Sequence, residues 1–311
     1  TLLMDNAITG PVNINSRVLK KRWINKLPYL PDVVILGSSR TLALSSQAFP
    51  NQTFFNASVT NCTFQDMYIF LDLFENKWEK IPKTVVICAD QWLFGNSFQE
   101  KRWLINRNEF IEMAKKIHVI DKLHEIPHKW DIEKEWIKEL FSVKYLFRSI
   151  TYHGKFEKFK TAHTADANKM MLLPDGSRRL PDNTTNVSED KIIKRANEYF
   201  YQSKDEYFTQ LDKEQCILFE GLINYLTSKN CNIILFIPPY NPVTYGLIVQ
   251  TPETQGIIQT ESYIRKFATA KCTIIGGTNP VPQNLFCKDF YDGVHLKKAT
   301  LNNLFKLKTN R

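Results

Sequence analysis

Three residues of this chain have the types and spacing for proton transfer to and from a hydroxyl: Ser39, Asp292 and His295. Ser39 closes the run Val33-Val34-Ile35-Leu36-Gly37-Ser38-Ser39, in which four apolar residues without alternation end at a glycine and two serines. Such a run reads as a strand buried on both faces. A hydroxyl just past its end lies at the carboxyl edge of a sheet, where open α/β folds bind ligands. The segment Asp292-Gly293-Val294-His295 supplies the other half. An Asp three residues before a His needs one local turn to bring its carboxylate to the imidazole Nδ1. That contact fixes the tautomer and leaves Nε2 to take a proton from a serine. Ser38 is the second candidate at the same turn, one residue out of register.

These residues need a scaffold that puts both segments on one rim. Apolar runs at 33–36, 53–56, 84–89, 232–237 and 272–275 predict five strands. Helical patterns lie between and beside them, at 16–26, from the cap Thr63 to Phe74, and at 212–228, 254–269 and 297–308. A short helical piece is expected from Arg40 to Phe49, and a loop through Tyr240, Asn241, Pro242 and Tyr245. Strands alternating with helices imply a parallel sheet covered on both faces. The expected order is flavodoxin-like, 2-1-3-4-5, with the loops after strands 1, 2, 3 and 5 on one rim. The scheme divides the chain into a lead-in at 1–30, a core at 31–95 and 211–311, and an insertion at 96–210. Helices are expected in the insertion near 107–118, 132–150 and 188–203, with a turn at Pro174-Asp175-Gly176-Ser177-Arg178-Arg179. The insertion reads as helices and loops over the sheet rather than an independent domain.

The joint pattern, a serine after the first strand and Asp-x-x-His before the last helix, resembles the SGNH (GDSL-like) hydrolase superfamily. Gly37-Ser38-Ser39 stands where that family has Gly-Asp-Ser. The resemblance implies a three-layer α/β fold with Ser39 as nucleophile, His295 as base and Asp292 as the orienting acid. It also implies oxyanion donors from the backbone of Ser39 and from Asn61, which stands at the glycine of the family's second block (here Asn56-Ala57-Ser58-Val59-Thr60-Asn61). The third block departs more. Ala89-Asp90-Gln91-Trp92 has no Asn at the expected place, so Gln91 is the substitute amide. Asp90 and Trp92 are candidates for substrate contact. These departures are similar to the D-alanine-transfer proteins of teichoic acid biosynthesis and to proteins of cell-surface polysaccharide O-acylation. The likeness covers about 31–95 and 230–311. It implies a serine esterase or acyltransferase acting on acetyl or similar groups of a polysaccharide or anionic glycopolymer in the cell envelope. It also implies no metal or organic cofactor, a periplasmic or outward-facing location, an N-terminal membrane anchor upstream of Thr1, and work beside a membrane-bound O-acyltransferase. The alternative is a non-catalytic scaffold of the same fold that binds polymer or the acyltransferase.

Composition bounds these readings. A chain of 311 residues, 43% hydrophobic and 23% charged, can bury a sizeable core. The net charge of +9 suits an anionic partner. The lysines are dispersed, however, and no zinc-finger spacing or arginine-rich run points to nucleic acid. Arg40 either faces the cleft, where a guanidinium could hold a phosphate or carboxylate, or is a solvated residue at a helix start. The six cysteines form no CxxC pair, and Cys231 and Cys272 are expected side by side on neighbouring strands. His124 and His128 are spaced for a metal only on a helix, which Pro127 opposes. The 16–26 helix reads as a packed lead-in in preference to a membrane-proximal stalk.

Overall fold

The computed structural model describes residues 7–9, 15–97, 100–124, 160–162 and 170–309. Among them the strands are, in chain order, β1 (Ala7–Thr9), β2 (Val33–Leu36), β3 (Phe54–Asn56), β4 (Thr84–Cys88), β5 (Lys160–Ala162), β6 (Met171–Leu172), β7 (Arg178–Arg179), β8 (Asn232–Ile237) and β9 (Cys272–Gly276). The principal helices are α1 (Ser16–Lys26), α2 (Phe64–Trp78), α3 (Arg107–Lys116), α4 (Glu189–Gln202), α5 (Lys213–Ser228), α6 (Pro242–Gln250), α7 (Gln255–Arg265) and α8 (Lys298–Thr309).

The central sheet has five parallel strands in the order β3-β2-β4-β8-β9. Among themselves these five stand as the sequence implied. Counted along the chain the order is not the plain 2-1-3-4-5 that was expected, because β1, β5, β6 and β7 are additional strands. They form a separate antiparallel sheet, β5-β1-β6-β7. The expectation of helices and loops alone in the insertion is corrected accordingly. Strands two or three residues long carry no readable alternation; the turn at Pro174–Ser177 sets the pairing of β6 with β7, and β1 joins β5 and β6 over long sequence separations. The expected helices at 107–118 and 188–203 are α3 and α4. The one at 132–150 lies outside the described residues, as do Trp130, Trp136, His128, His153 and His163.

Each parallel strand alternates between two apolar layers. Val34, Leu36, Phe55, Val85, Ile87, Ile233 and Leu235 face a core shared with α1, α2, α3 and α5. Val33, Ile35, Val86, Cys88, Ile234 and Phe236 face a second core closed by Leu301 and Phe305 of α8. Burial on both faces explains why the runs show no polar alternation. Two expectations for the connections change. The 40–49 piece is mainly turn, with one short 3₁₀ segment, Ser46–Ala48. The presumed loop after β8 is helix α6, capped by the Asn241 side chain, which accepts from Val243 N–H (3.0 Å) with Pro242 in the first turn.

The lead-in is part of the core. Trp23 and Ile24 are fully buried, and Arg17 forms a buried bidentate pair with Asp66 (2.8 and 2.8 Å). Asp66 also completes a capping box with Thr63 at the start of α2. All six cysteines are free thiols; Cys231 and Cys272 are buried near the start of β8 and β9 without a bond between them. Among the described residues, no helix is long and apolar enough to cross a membrane.

Candidate active site

The loops after β2, β3, β4 and β9 meet at one end of the sheet. Gly37 lets the first of them turn close to β4: a Cβ there would stand 2.4 Å from Thr41 Oγ1 and 2.5 Å from Cys88 Cβ. The chain then folds back on itself, with Thr41 N–H donating to Ser38 O (3.2 Å) and Leu42 N–H to Ser39 O (3.4 Å). This turn separates the two serines. Ser38 is 2% exposed, its Oγ accepts from the Arg40 N–H (3.2 Å), and its hydroxyl helps to hold down the carboxyl of the buried Asp90. Ser39 points the other way, half-buried at the rim, and its Oγ lies 2.8 Å from His295 Nε2.

His295 is held by its own loop. An antiparallel bridge between Phe290 and Leu296 closes the segment. Within it, Asp292 Oδ1 accepts from the N–H groups of Val294 (2.9 Å) and His295 (2.8 Å). The other carboxylate oxygen, Oδ2, lies 2.8 Å from His295 Nδ1. Burial would push Asp292 up, but His295 and the two backbone N–H groups outweigh it and hold the carboxyl below its usual range. An ionised carboxylate only accepts, so Nδ1 carries the proton and Nε2 of the neutral ring is left to accept from Ser39. Gly293 is required by close packing, since a Cβ would stand 2.7 Å from Tyr199 Cβ and 2.8 Å from Thr244 Oγ1. Asn241 fixes the same loop from the end of β8, donating to Asp292 O (3.3 Å) and to Gly293 O through its backbone N–H (2.9 Å). The Tyr291 ring lies parallel to the imidazole at 5.3 Å. Ser39, His295 and Asp292, named from spacing, are therefore one continuous hydrogen-bonded line. That line can deprotonate a serine hydroxyl as it attacks a carbonyl and hand the proton to a leaving group.

Asn61 has left-handed backbone geometry (φ 51°), which Asn tolerates better than other side chains. Its loop lies against the serine turn, through Val59 N–H to Gly37 O (2.9 Å) and Ser58 Oγ to Thr41 Oγ1 (2.9 Å). Arg17 holds the loop from behind, donating to Asn61 O (2.9 Å). Among the described residues, neither the Ser39 nor the Asn61 N–H donates to another group.

The remaining candidates do different work. Gln91 was expected to offer an amide to the site, but its Nε2 donates to Pro238 O (2.9 Å) and Thr278 Oγ1 (3.1 Å), so both hydrogens are spent. Arg40 neither faces a cleft nor lies in water. It is 6% exposed, and its guanidinium donates to Val294 O (3.3 Å), Gln91 Oε1 (3.0 Å), Pro238 O (3.1 Å) and Pro239 O (2.7 Å) and is ion-paired with Asp90 Oδ1 at 3.7 Å, beyond hydrogen-bond distance. The guanidinium also lies over the Tyr240 ring, 4.5 Å from its centroid. Through Val294 O it ties the serine turn directly to the His295 loop. Asp90 is fully buried beneath the line, and burial raises its carboxyl against the opposing pull of Arg40. Trp92 is buried in the main core. Arg40, Asp90 and Trp92 are therefore not placed to touch a substrate. Asn241 and Tyr291 were missed from sequence, although Asn241-Pro242 carries a helix-cap signal and Tyr291 adjoins Asp292. Further along, burial pushes the Glu206 carboxyl up to about 7, against the Tyr199 hydroxyl and Arg40, which pull it down.

No family model matches this chain, and no curated protein matches it significantly. A functional reading therefore rests on the geometry of the rim.

Proposed function

We propose that the protein is a serine esterase or acyltransferase of the SGNH type, acting on O-acyl groups of a cell-surface polysaccharide or glycopolymer. The observation that carries the reading is the Ser39–His295–Asp292 line, with both side-chain contacts at 2.8 Å. Ser39 Oγ attacks the acyl carbonyl as His295 Nε2 takes its proton, and Asp292 steadies the resulting imidazolium. The tetrahedral oxyanion is received by the N–H groups of Ser39 and Asn61. His295 then protonates the departing sugar oxygen, leaving the acyl group on Ser39. Water, or a second hydroxyl, enters as His295 removes its proton, attacks the acyl carbon and releases Ser39. Hydrolysis and transfer differ only in that second nucleophile. The envelope location, an upstream membrane anchor and a membrane O-acyltransferase partner belong to the same proposal and rest on the resemblance of the motifs.

One observation favours a second reading, a non-catalytic scaffold that binds polymer or the acyltransferase. Gln91 spends its amide on the fold, so a third oxyanion donor is not supplied there. Hydrolysis of 4-nitrophenyl acetate by the wild type and by Ser39→Ala decides between them. Turnover that disappears in the variant supports the enzyme; equal background rates in both support the scaffold.

A further inference from the structure

The loop that carries Asn61 is held by two arginines from outside the parallel core, Arg17 on α1 and Arg102 at the start of the 3₁₀ segment Arg102–Asn106. Thr60 and Asn61 are the central residues of a turn, and of the two only Asn61 has a positive φ (51°). A negative φ followed by a positive one is the type II sense; the type I alternative turns the central peptide over. That choice decides where the Thr60–Asn61 peptide points its carbonyl and, on the opposite side, its N–H.

Both guanidiniums hold the carbonyl. Arg17 Nη1 and Arg102 Nη2 each donate to Thr60 O at 3.4 Å, long for one bond but shared by two charged donors. Arg17 Nη2 also donates to Asn61 O (2.9 Å), so one fork spans two successive carbonyls of the turn. Arg17 is 1% exposed and is aimed by the bonds from its Nε and Nη2 to Asp66. Arg102 is aimed in the same way by Glu100, to whose carboxylate its Nε donates (2.9 Å). One turn further along α1, Lys20 donates to Asn56 O at the other end of the loop. Each arginine carries its own carboxylate, so what the pair adds at Thr60 O is directed hydrogen bonds rather than net charge. A peptide held by its oxygen presents its N–H the other way, and charged donors on the oxygen make that N–H a stronger donor. Among the described residues the Asn61 N–H donates to no other group.

We propose that Arg17 and Arg102 are positioning residues of the Ser39 site: they lock the orientation of the Thr60–Asn61 peptide and strengthen its N–H for the oxyanion. This deepens the hydrolase reading and rests on it. Neither arginine lies in the segments 31–95 and 230–311 that carry the motifs. With the Gln91 amide spent on the fold, the lead-in and the insertion complete the oxyanion site by tuning a donor already there.

The test compares 4-nitrophenyl acetate with its thiono analogue, in which sulfur replaces the carbonyl oxygen. Sulfur is a weak acceptor, so an oxyanion site favours the oxygen ester, and the ratio of the two kcat/KM values reads the donors. A smaller folded fraction lowers both rates together and leaves the ratio unchanged. Arg102→Ala comes first because its side chain is half-exposed; kcat for the oxygen ester should fall about 2–10-fold with KM unchanged. Arg17→Lys keeps a charge for Asp66 but loses the fork that reaches two carbonyls. Its kcat should fall about 10–100-fold, less than for a donor removed outright. In both variants the oxygen-to-sulfur ratio should fall with kcat. If Arg17→Lys does not fold, Arg102→Ala carries the comparison. Ser39-dependent turnover with the wild-type ratio in the folded variants overturns the proposal and leaves the hydrolase standing. No Ser39-dependent turnover in the wild type overturns both.

Discussion

Two polar clusters lie one residue apart in this chain and behave oppositely. Ser39, His295 and Asp292 form a line that opens on the rim: the imidazole keeps 21% of its surface and Ser39 is half-buried. Arg40, Gln91 and Asp90 lie directly beneath, with the Arg40 and Asp90 side chains only 4% and 0% exposed. In the upper cluster the serine hydroxyl and two backbone N–H groups remain available. In the lower one the Arg40 and Gln91 donors go to four main-chain carbonyl contacts and to the Gln91 Oε1 and Thr278 Oγ1 side chains, while Asp90 Oδ1 keeps only the Arg40 charge. Residue type does not separate a reacting group from a brace; the donors left unspent at the rim do.

Substitutions should sort by cluster, the upper changing rate and the lower changing stability. The largest effect is expected at Ser39→Ala and His295→Ala, each lowering ester turnover by roughly 10⁴–10⁶. Asp292→Asn should cost about 10⁴ because the tautomer is lost. Steady-state kinetics beside thermal melts checks these, and a melting point lowered in step with rate would place the upper cluster with the braces. Next comes Arg40→Ala, which strands Asp90 and the acceptor oxygens of Val294, Gln91 and Pro239; urea unfolding should show a loss of about 3–5 kcal/mol. Gln91→Ala removes the bonds to Arg40 Nη1 and Thr278 Oγ1 and should cost about 1–3 kcal/mol. A Gln91→Ala protein of full stability with turnover down about 10²-fold or more would return Gln91 to the oxyanion site.

The smallest effect sharpens the boundary between the clusters. Glu206 titrates near 7 when folded, against an ordinary value of 4.5. The folded state therefore binds the extra proton between these values, and stability falls as pH rises from about 4.5 through about 7. Glu206→Gln removes that decline, so its melting point should gain on the wild type at pH 8 relative to pH 5. Parallel curves for the two proteins would contradict the buried-carboxyl account.

What could be read from the sequence was local. Unbroken β-branched runs such as Val33–Leu36 and Thr84–Cys88 announce buried parallel strands, and Asp292-x-x-His295 announces a turn that closes on itself. Arg40 was illegible because its acceptors Pro238 O, Pro239 O and Val294 O lie 198 to 254 residues away. They are main-chain groups with no side-chain signature. Helix α6 was hidden by three prolines, although a capping Asn before a first-turn Pro is a helix start. The strands β6 and β7 are too short to show a period, so the segment that carries Arg178 read only as a turn.

The central claim is that His295 activates Ser39 and not its neighbour. Fluorophosphonate labelling followed by peptide mass mapping tests it most directly. The account predicts one adduct, on Ser39, formed at least about 10³-fold more slowly in His295→Ala. An adduct on Ser38, or labelling of Ser39 at the same rate without His295, would contradict it.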